Sequence, residues 1–233
     1  MFALSSEEFG ILELSLRVAL VSVLASLPLA IVIAHALARL SFPGKTLFDA
    51  VVHLPLVLPP VVVGFALLVL FGKRGPIGHW LDDWFGITFA FRWTGAALAS
   101  AVMGFPLMVR AIRLSIEAID RRLEVAARTL GGSRLWVFFS ITLPLALPGI
   151  ITGTLLSFAR GLGEFGATIT FVSNIPGETQ TLPLAIYTLT QVPGGDAGAL
   201  RLSLVAVVLS ILALATSEWL TRRSVRMQSD DRR

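Results

Sequence analysis

Long apolar runs separated by short polar links dominate this chain. A helix rises about 1.5 Å per residue, so roughly 20 apolar residues cross a hydrocarbon layer about 30 Å thick. Five stretches reach that length, at about residues 16–38, 48–72, 94–112, 147–172 and 202–220. The pattern predicts an all-α integral membrane protein, five transmembrane helices in a single membrane domain over residues 1–233. Two runs are not uniform: the second, HLPLVLPPVVVG, carries Pro55, Pro59 and Pro60, and the fourth holds Arg160 and Glu164 in its middle.

The link at residues 113–146 has a pattern of its own. In LEVAARTLG, Leu123, Ala126, Ala127 and Leu130 recur at i, i+3, i+4 and i+7, which predicts a short amphipathic helix with a stripe built largely of alanine. Asp120 is its expected N-cap and Gly131 its expected stop. A helix this short has too little apolar area to stand alone. Periodicity leaves it two homes: the bilayer surface, held by Arg121, Arg122 and Arg128, or a packed site in its own bundle or a partner's groove.

Composition agrees with the pattern. The chain is 55% hydrophobic and 15% charged, more apolar than one soluble core of 233 residues accommodates. The net charge of +4 is spread over links between apolar runs instead of one solvated face, which points to membrane topology and away from nucleic acid as a partner. Lys and Arg concentrate on the cytoplasmic side of membrane proteins. The links after runs one, three and five hold thirteen basic residues, against Lys73, Arg74 and Arg92 on the other face. This places the N-terminus outside, the C-terminus inside and residues 113–146 in the cytoplasm. Trp80, Trp84, Trp93 and Trp219 fall near run ends, as interfacial aromatics do. Glu7, Glu8 and Glu13 replace the basic leader of a signal peptide, so the first run is read as a mature span. With no cysteine, disulfides and thiolate chemistry are excluded.

Candidate chemistry is sparse. Gly44-Lys45-Thr46 ends like a phosphate-binding loop, but Arg39 stands where that pattern needs glycine. Gly161, Gly163 and Gly166 match a dinucleotide fingerprint only formally, since they lie in a membrane span without a βαβ unit. His35, His53 and His79 read as isolated; no metal ligand set, bound cofactor or catalytic residue is expected. Arg160 and Glu164, at i and i+4, would each cost about 2.5–3.5 kcal/mol against lipid, so they must face protein or water. Two readings stay open: a neutralised pair that pins the bundle, or part of a water-lined passage loosened by Gly163 and Gly166. Pro59 and Pro60 break the second run, and broken helices at membrane depth line cavities or are covered by protein. The candidate pathway is therefore Pro59, Pro60, Arg160, Gly163, Glu164 and Gly166.

Ala126-Ala127, Gly131 and Ile141-Thr142-Leu143-Pro144 resemble the EAA…G…I-LP cytoplasmic loop of ABC importer permeases. Together with FPGK, HLPLVLPPVVVG, RGPIG, GFPLMVRAIR and ARGLGEFGATITFVSNIPGETQTLPLAIYTL, the chain resembles the molybdate ABC transporter permeases from about residue 15 to 220. Sulfate, thiosulfate and tungstate permeases are similar in the coupling loop and the GEFGA region. The resemblance implies a type I, MetI-like permease fold in the bacterial inner membrane. It implies a coupling helix, carrying Leu123, Glu124, Ala126, Ala127, Leu130 and Gly131, that docks on an ATPase. Val125 occupies the place of the family's acidic residue and Glu124 lies one step earlier, which leaves a grip by Glu124 on the ATPase open. It further implies a second copy of the chain, two ModC-like ATP-binding subunits that use ATP and Mg, and a ModA-like substrate-binding protein outside. An ion-coupled secondary transporter is the rival from another class; such folds carry internal repeats and membrane-embedded ion sites, and neither is evident here.

Overall fold

The computed structural model describes residues 5–230. The helices are α1 (Ser6–Arg39), α2 (Lys45–Val57), α3 (Pro60–Phe71), α4 (Pro76–Phe85), α5 (Trp93–Glu117), α6 (Arg121–Thr129), α7 (Arg134–Val137), α8 (Leu143–Leu145), α9 (Leu147–Leu162), α10 (Gly166–Val172), α11 (Leu182–Gln191) and α12 (Asp196–Asp230). A π-helical turn, Phe138–Thr142, joins α7 to α8. Trp219 and the arginines from Arg222 onward, used above for topology, lie outside the described side chains.

Helix α5 is the centre of the bundle, with 61% of its most apolar stretch buried. Its lining is small where neighbours approach: Ala96, Ala97, Ala99, Ser100 and Gly104 are all buried. In lipid there is no hydrophobic drive between helices, so close backbone approach through such residues supplies the association. Two apolar clusters mark the two ends of the bundle. At one end, Met108, Ile112 and Ile116 of α5 meet Ala30, Ala34 and Leu37 of α1, Val52 of α2 and Ile150 of α9. At the other, Ala96, Ala97, Ala99 and Met103 of α5 meet Val18 of α1, Val63 and Leu67 of α3, and Ala167, Phe171 and Val172 of α10.

These clusters fix the path of the chain. Helix α1 runs parallel to α5, while α2–α3 and α9–α10 each return along the whole bundle from the α6 end to the opposite end. A third cluster, Ile11, Leu182, Ala185 and Leu202, fastens α11 and the start of α12 to the start of α1. Glu8 reinforces it by accepting a hydrogen bond from Nη2 of Arg201 at 2.9 Å.

Among the described residues, three helices are long and apolar enough to cross a membrane unaided, namely α1, α5 and α12 over Asp196–Ala213. The count reaches five when each bent pair forms one span: α2 with α3 at 113°, and Arg134–Leu145 with α9 at 67°. The expected second run is therefore two helices, because Leu58 and Pro59 take extended backbone (ψ 143° and 133°) ahead of Pro59 and Pro60. The expected fourth run is likewise split, with α9 ending at Leu162 and α10 beginning at Gly166. Helix α1 starts at Ser6, well before residue 16. The reason is a capping box: Ser5 Oγ accepts from the Glu8 amide at 3.1 Å, and Glu8 Oε2 accepts from the Ser5 amide at 2.8 Å.

Candidate functional site

Helix α6 forms as its sequence dictates. The Asp120 carboxylate accepts from the Arg122 amide at 2.9 Å and starts it. Gly131, at φ +92°, ends it in a Schellman motif: the Gly132 amide donates to Ala127 O at 3.0 Å and the Gly131 amide to Arg128 O at 3.1 Å. No residue of α6 is buried. Leu123 and Ala126 are exposed, Ala127 is half-buried, and Leu130 is 89% exposed. The stripe is thus not spent on this chain's own core. Ala127, Leu130 and Gly131 instead line a groove of about 710 Å³ closed by Ser133, Trp136 and Ile141.

Glu124 points the other way. Its Oε1 accepts from Nε of Arg39 at 3.1 Å and from Thr142 Oγ1 at 2.8 Å. Arg39, whose side chain is 8% exposed, also donates through Nη2 to Ile119 O at 3.0 Å. One carboxylate therefore ties α6 to the end of α1 and to the π-helical turn leading into α9. Among the expected coupling residues, Glu124 is turned into its own chain, while Leu123, Ala126, Ala127, Leu130 and Gly131 remain on or beside the open surface. Arg39 and Thr142 were not singled out from sequence. The signal for Thr142 lay in the ITLP stretch already noted; Arg39 gave none, because its partner is distant along the chain.

The candidate pathway residues come together at the two helix breaks. A Cβ on Gly166 would lie 2.7 Å from Cβ of Pro60, and one on Gly64 would lie 2.5 Å from Ala167 O. Helix α3 thus starts directly against the start of α10. Glu164 Oε1 accepts from the Ala167 amide at 2.8 Å and caps α10, while Oε2 pairs with Nη1 of Arg160 at 2.6 Å. The Glu164 side chain is 1% exposed and that of Arg160 28%. Glu164 is the buried member of the pair, and Arg160 is the member that reaches the surface. Pro59 and Gly163, at the two breaks, are exposed. Phe165, in the break itself, packs on Tyr187 of α11 with ring centroids 5.2 Å apart, a neighbour that sequence periodicity did not reveal.

The histidines are not all isolated. His53 pairs with Asp49 at 3.1 Å and His79 with Asp83 at 3.2 Å, each one helical turn apart, a spacing overlooked in the sequence. Asp49 also takes Nη1 of Arg113 at 2.9 Å, clasping α2 to α5. Among the described residues, no group of three or more His, Asp or Glu is placed to hold a metal ion.

The arrangement has counterparts among known proteins. The molybdenum transport system permease protein ModB of Escherichia coli (strain K12) is 63% identical over 221 residues, covering 95% of this chain and 96% of that one. The fold is similar to chains of a bacterial alginate ABC transporter (TM-score 0.74, 18% identity, 94% of this chain and 80% of that one) and of the MetNI methionine ABC transporter in an inward-facing form (TM-score 0.68, 14% identity, 93% and 94%). The sequence pattern of the binding-protein-dependent transport system inner membrane components matches residues 26–226, and the chain belongs to that family.

Proposed function

We propose that this chain is the permease of an ATP-driven molybdate importer. Two copies would enclose the passage, two ModC-like subunits would bind and hydrolyse ATP with Mg on the cytoplasmic side, and a ModA-like protein would deliver the dianion from outside. The observation that carries the reading is α6: a capped helix at one end of the bundle, with its apolar stripe uncovered and its single carboxylate anchored to the span-forming helices. The identity of the Escherichia coli relative supports molybdate as the cargo.

The geometry suits a lever. Movement imposed on α6 passes through Glu124 to Arg39 at the end of α1 and through Thr142 to the turn that feeds α9. At its far end α9 meets the break at Gly163–Phe165, where α10 abuts α3. A push at α6 is therefore delivered to the elements that flank both breaks. The Arg160 guanidinium, held by Glu164 yet open on one side, offers a passing dianion a single weak attraction, which lets it leave again.

The test is reconstitution with the ATPase and the binding protein in proteoliposomes, with import of labelled molybdate, tungstate and sulfate followed with and without ATP. ATP-dependent molybdate import that needs both partners is expected. Preferred import of sulfate or tungstate would reassign the cargo, and uphill transport without the ATPase would replace the reading by an ion-coupled carrier.

A further inference from the structure

On α5, Ala99, Met103, Pro106, Arg110, Leu114 and Glu117 succeed one another at three- or four-residue steps and form one stripe down the helix. The first three are buried, Ala99 and Met103 in the cluster with α3 and α10. The last three are exposed. The cover over this face therefore ends between Pro106 and Arg110, and the stripe lies open from there to the α6 end of the bundle.

The open part forms one wall of a groove of about 420 Å³, where Leu107, Arg110, Ala111 and Leu114 of α5 face Thr152 and Leu156 of α9. Thr152, Leu156 and Arg160 follow at four-residue steps, so the groove runs up α9 toward the guanidinium paired with Glu164, where α10 begins against α3. The groove thus leads away from the meeting point of the two helix breaks.

Arg110 is the one charged residue lining it. Among the described residues, it has no carboxylate within ion-pair distance. Arg113, three residues on, is by contrast held between Asp49 and Glu117 at 2.9 and 2.8 Å. Thr152 Oγ1 donates to Pro148 O at 2.8 Å, which turns its hydroxyl to its own helix. Arg110 stands seven residues, about 10 Å, inside the end of α5. At that depth an unpaired guanidinium is costly against hydrocarbon, and charged side chains mark water-filled passages. A cation in a cleft with apolar walls focuses its field and concentrates anions there.

We propose that Arg110 is a cationic station on the inner half of the passage, where it meets the dianionic cargo between Arg160 and the cytoplasm. The inference rests on the importer reading above and adds a residue that touches the cargo. One guanidinium among apolar walls draws the dianion inward and, with the Thr152 hydroxyl turned away, holds it weakly enough for release.

The chain has no cysteine, so Arg110→Cys introduces a unique thiol. In the complex reconstituted with the ATPase and the binding protein, Arg110→Gln is expected to import labelled molybdate about tenfold more slowly, with ATPase association unchanged. Arg110→Lys should keep most of the wild-type rate. Arg110→Cys should import as poorly as Arg110→Gln, and its thiol should react in nanodiscs with charged, membrane-impermeant methanethiosulfonates, more slowly when molybdate is present. Its import should return after the aminoethyl reagent, which restores a positive charge, and not after the sulfonatoethyl reagent of similar size. The wild-type complex, treated alike, controls for thiols on the other subunits. Normal import by Arg110→Gln overturns the proposal, and so does recovery with both reagents alike, which would make the residue a packing element. A thiol that takes a lipophilic maleimide but no charged reagent places Arg110 against lipid, and one inert to both places it under the second copy; either overturns the proposal. If the wild-type complex imports no oxyanion with ATP, the importer reading itself has failed; if it imports and Arg110→Gln imports equally, only the station has.

Discussion

Arg39 and Glu124, 85 positions apart in sequence, form an ion pair at 3.1 Å that joins the last residue of α1 to the first turn of α6. Without it, α6 would hang from the bundle by exposed loops and weak contacts, since none of its residues is buried. The pair makes the helix a fixed handle.

Glu124→Gln tests that handle. Both side chains keep some contact with solvent, so the loss falls below the about 3–5 kcal/mol of a fully buried pair. Roughly 1.5–3 kcal/mol is expected, the range for hydrogen bonds to charged groups. In the reconstituted complex ATP hydrolysis should continue while molybdate import falls about tenfold. The number of ions imported per ATP is the measurement; an equal drop in both rates would make the pair merely structural.

Ala127→Trp probes the groove. The added ring fills the space bounded by Leu130, Gly131 and Trp136, leaving membrane insertion untouched. Uptake should collapse while the protein still purifies as wild type does. Normal ATP-dependent uptake by this variant would remove the docking assignment.

Gly166 and Gly163, three residues apart, should respond unequally to alanine. At Gly166 a methyl meets Pro60 at 2.7 Å, and overpacking of this kind costs about 1–3 kcal/mol. At Gly163 the nearest atom is Ala159 O at 3.9 Å, so the change should stay within about 0.5 kcal/mol. Thermal denaturation midpoints in detergent read the difference. Equal midpoints would mean that α3 and α10 are not in contact in the protein as purified.

Gly131→Ala forces a side chain into the left-handed region, at about 1–2 kcal/mol. The Schellman motif should fray and ATPase association should weaken about tenfold, with Gly131→Asn less affected because asparagine tolerates that backbone. Binding titrations of the three proteins against the ATPase measure it; a Gly131→Ala protein that binds as wild type does would show that the stop is dispensable.

The sequence and the structure agree best where local chemistry decides. Asp120, Gly131 and the 3.6-residue recurrence of Leu123, Ala126, Ala127 and Leu130 mark the start, the stop and the stripe of α6. Pro59 and Pro60 mark a break, because a proline disfavours helix in the residue before it and two in succession remove two amide donors, whereas the single prolines Pro28, Pro55 and Pro106 are carried inside helices. The 113° angle at that break was not legible, since it depends on α10 lying against α3. Nor was the direction of Glu124, which is set by a guanidinium far away in the chain. The division of the fourth run at Gly163–Phe165 was hidden for a related reason: three glycines permit a break, but the Glu164 carboxylate that caps α10 depends on the fold around it.

The π-helical turn at Phe138–Thr142 has a consequence for chain length. The Leu143 amide reaches back five residues to Phe138 O, so this stretch contains one residue more than an ordinary turn. Each residue of an α-helix advances the azimuth by about 100°. Deleting a single amino acid here would only close the bulge into an ordinary turn, whereas deleting one between Leu147 and Arg160 in α9, which has no such slack, would re-aim Arg160 by that amount about the axis. The distance in residues along α9 to the passage is thus a phase setting, as much fixed by the fold as any side chain along it.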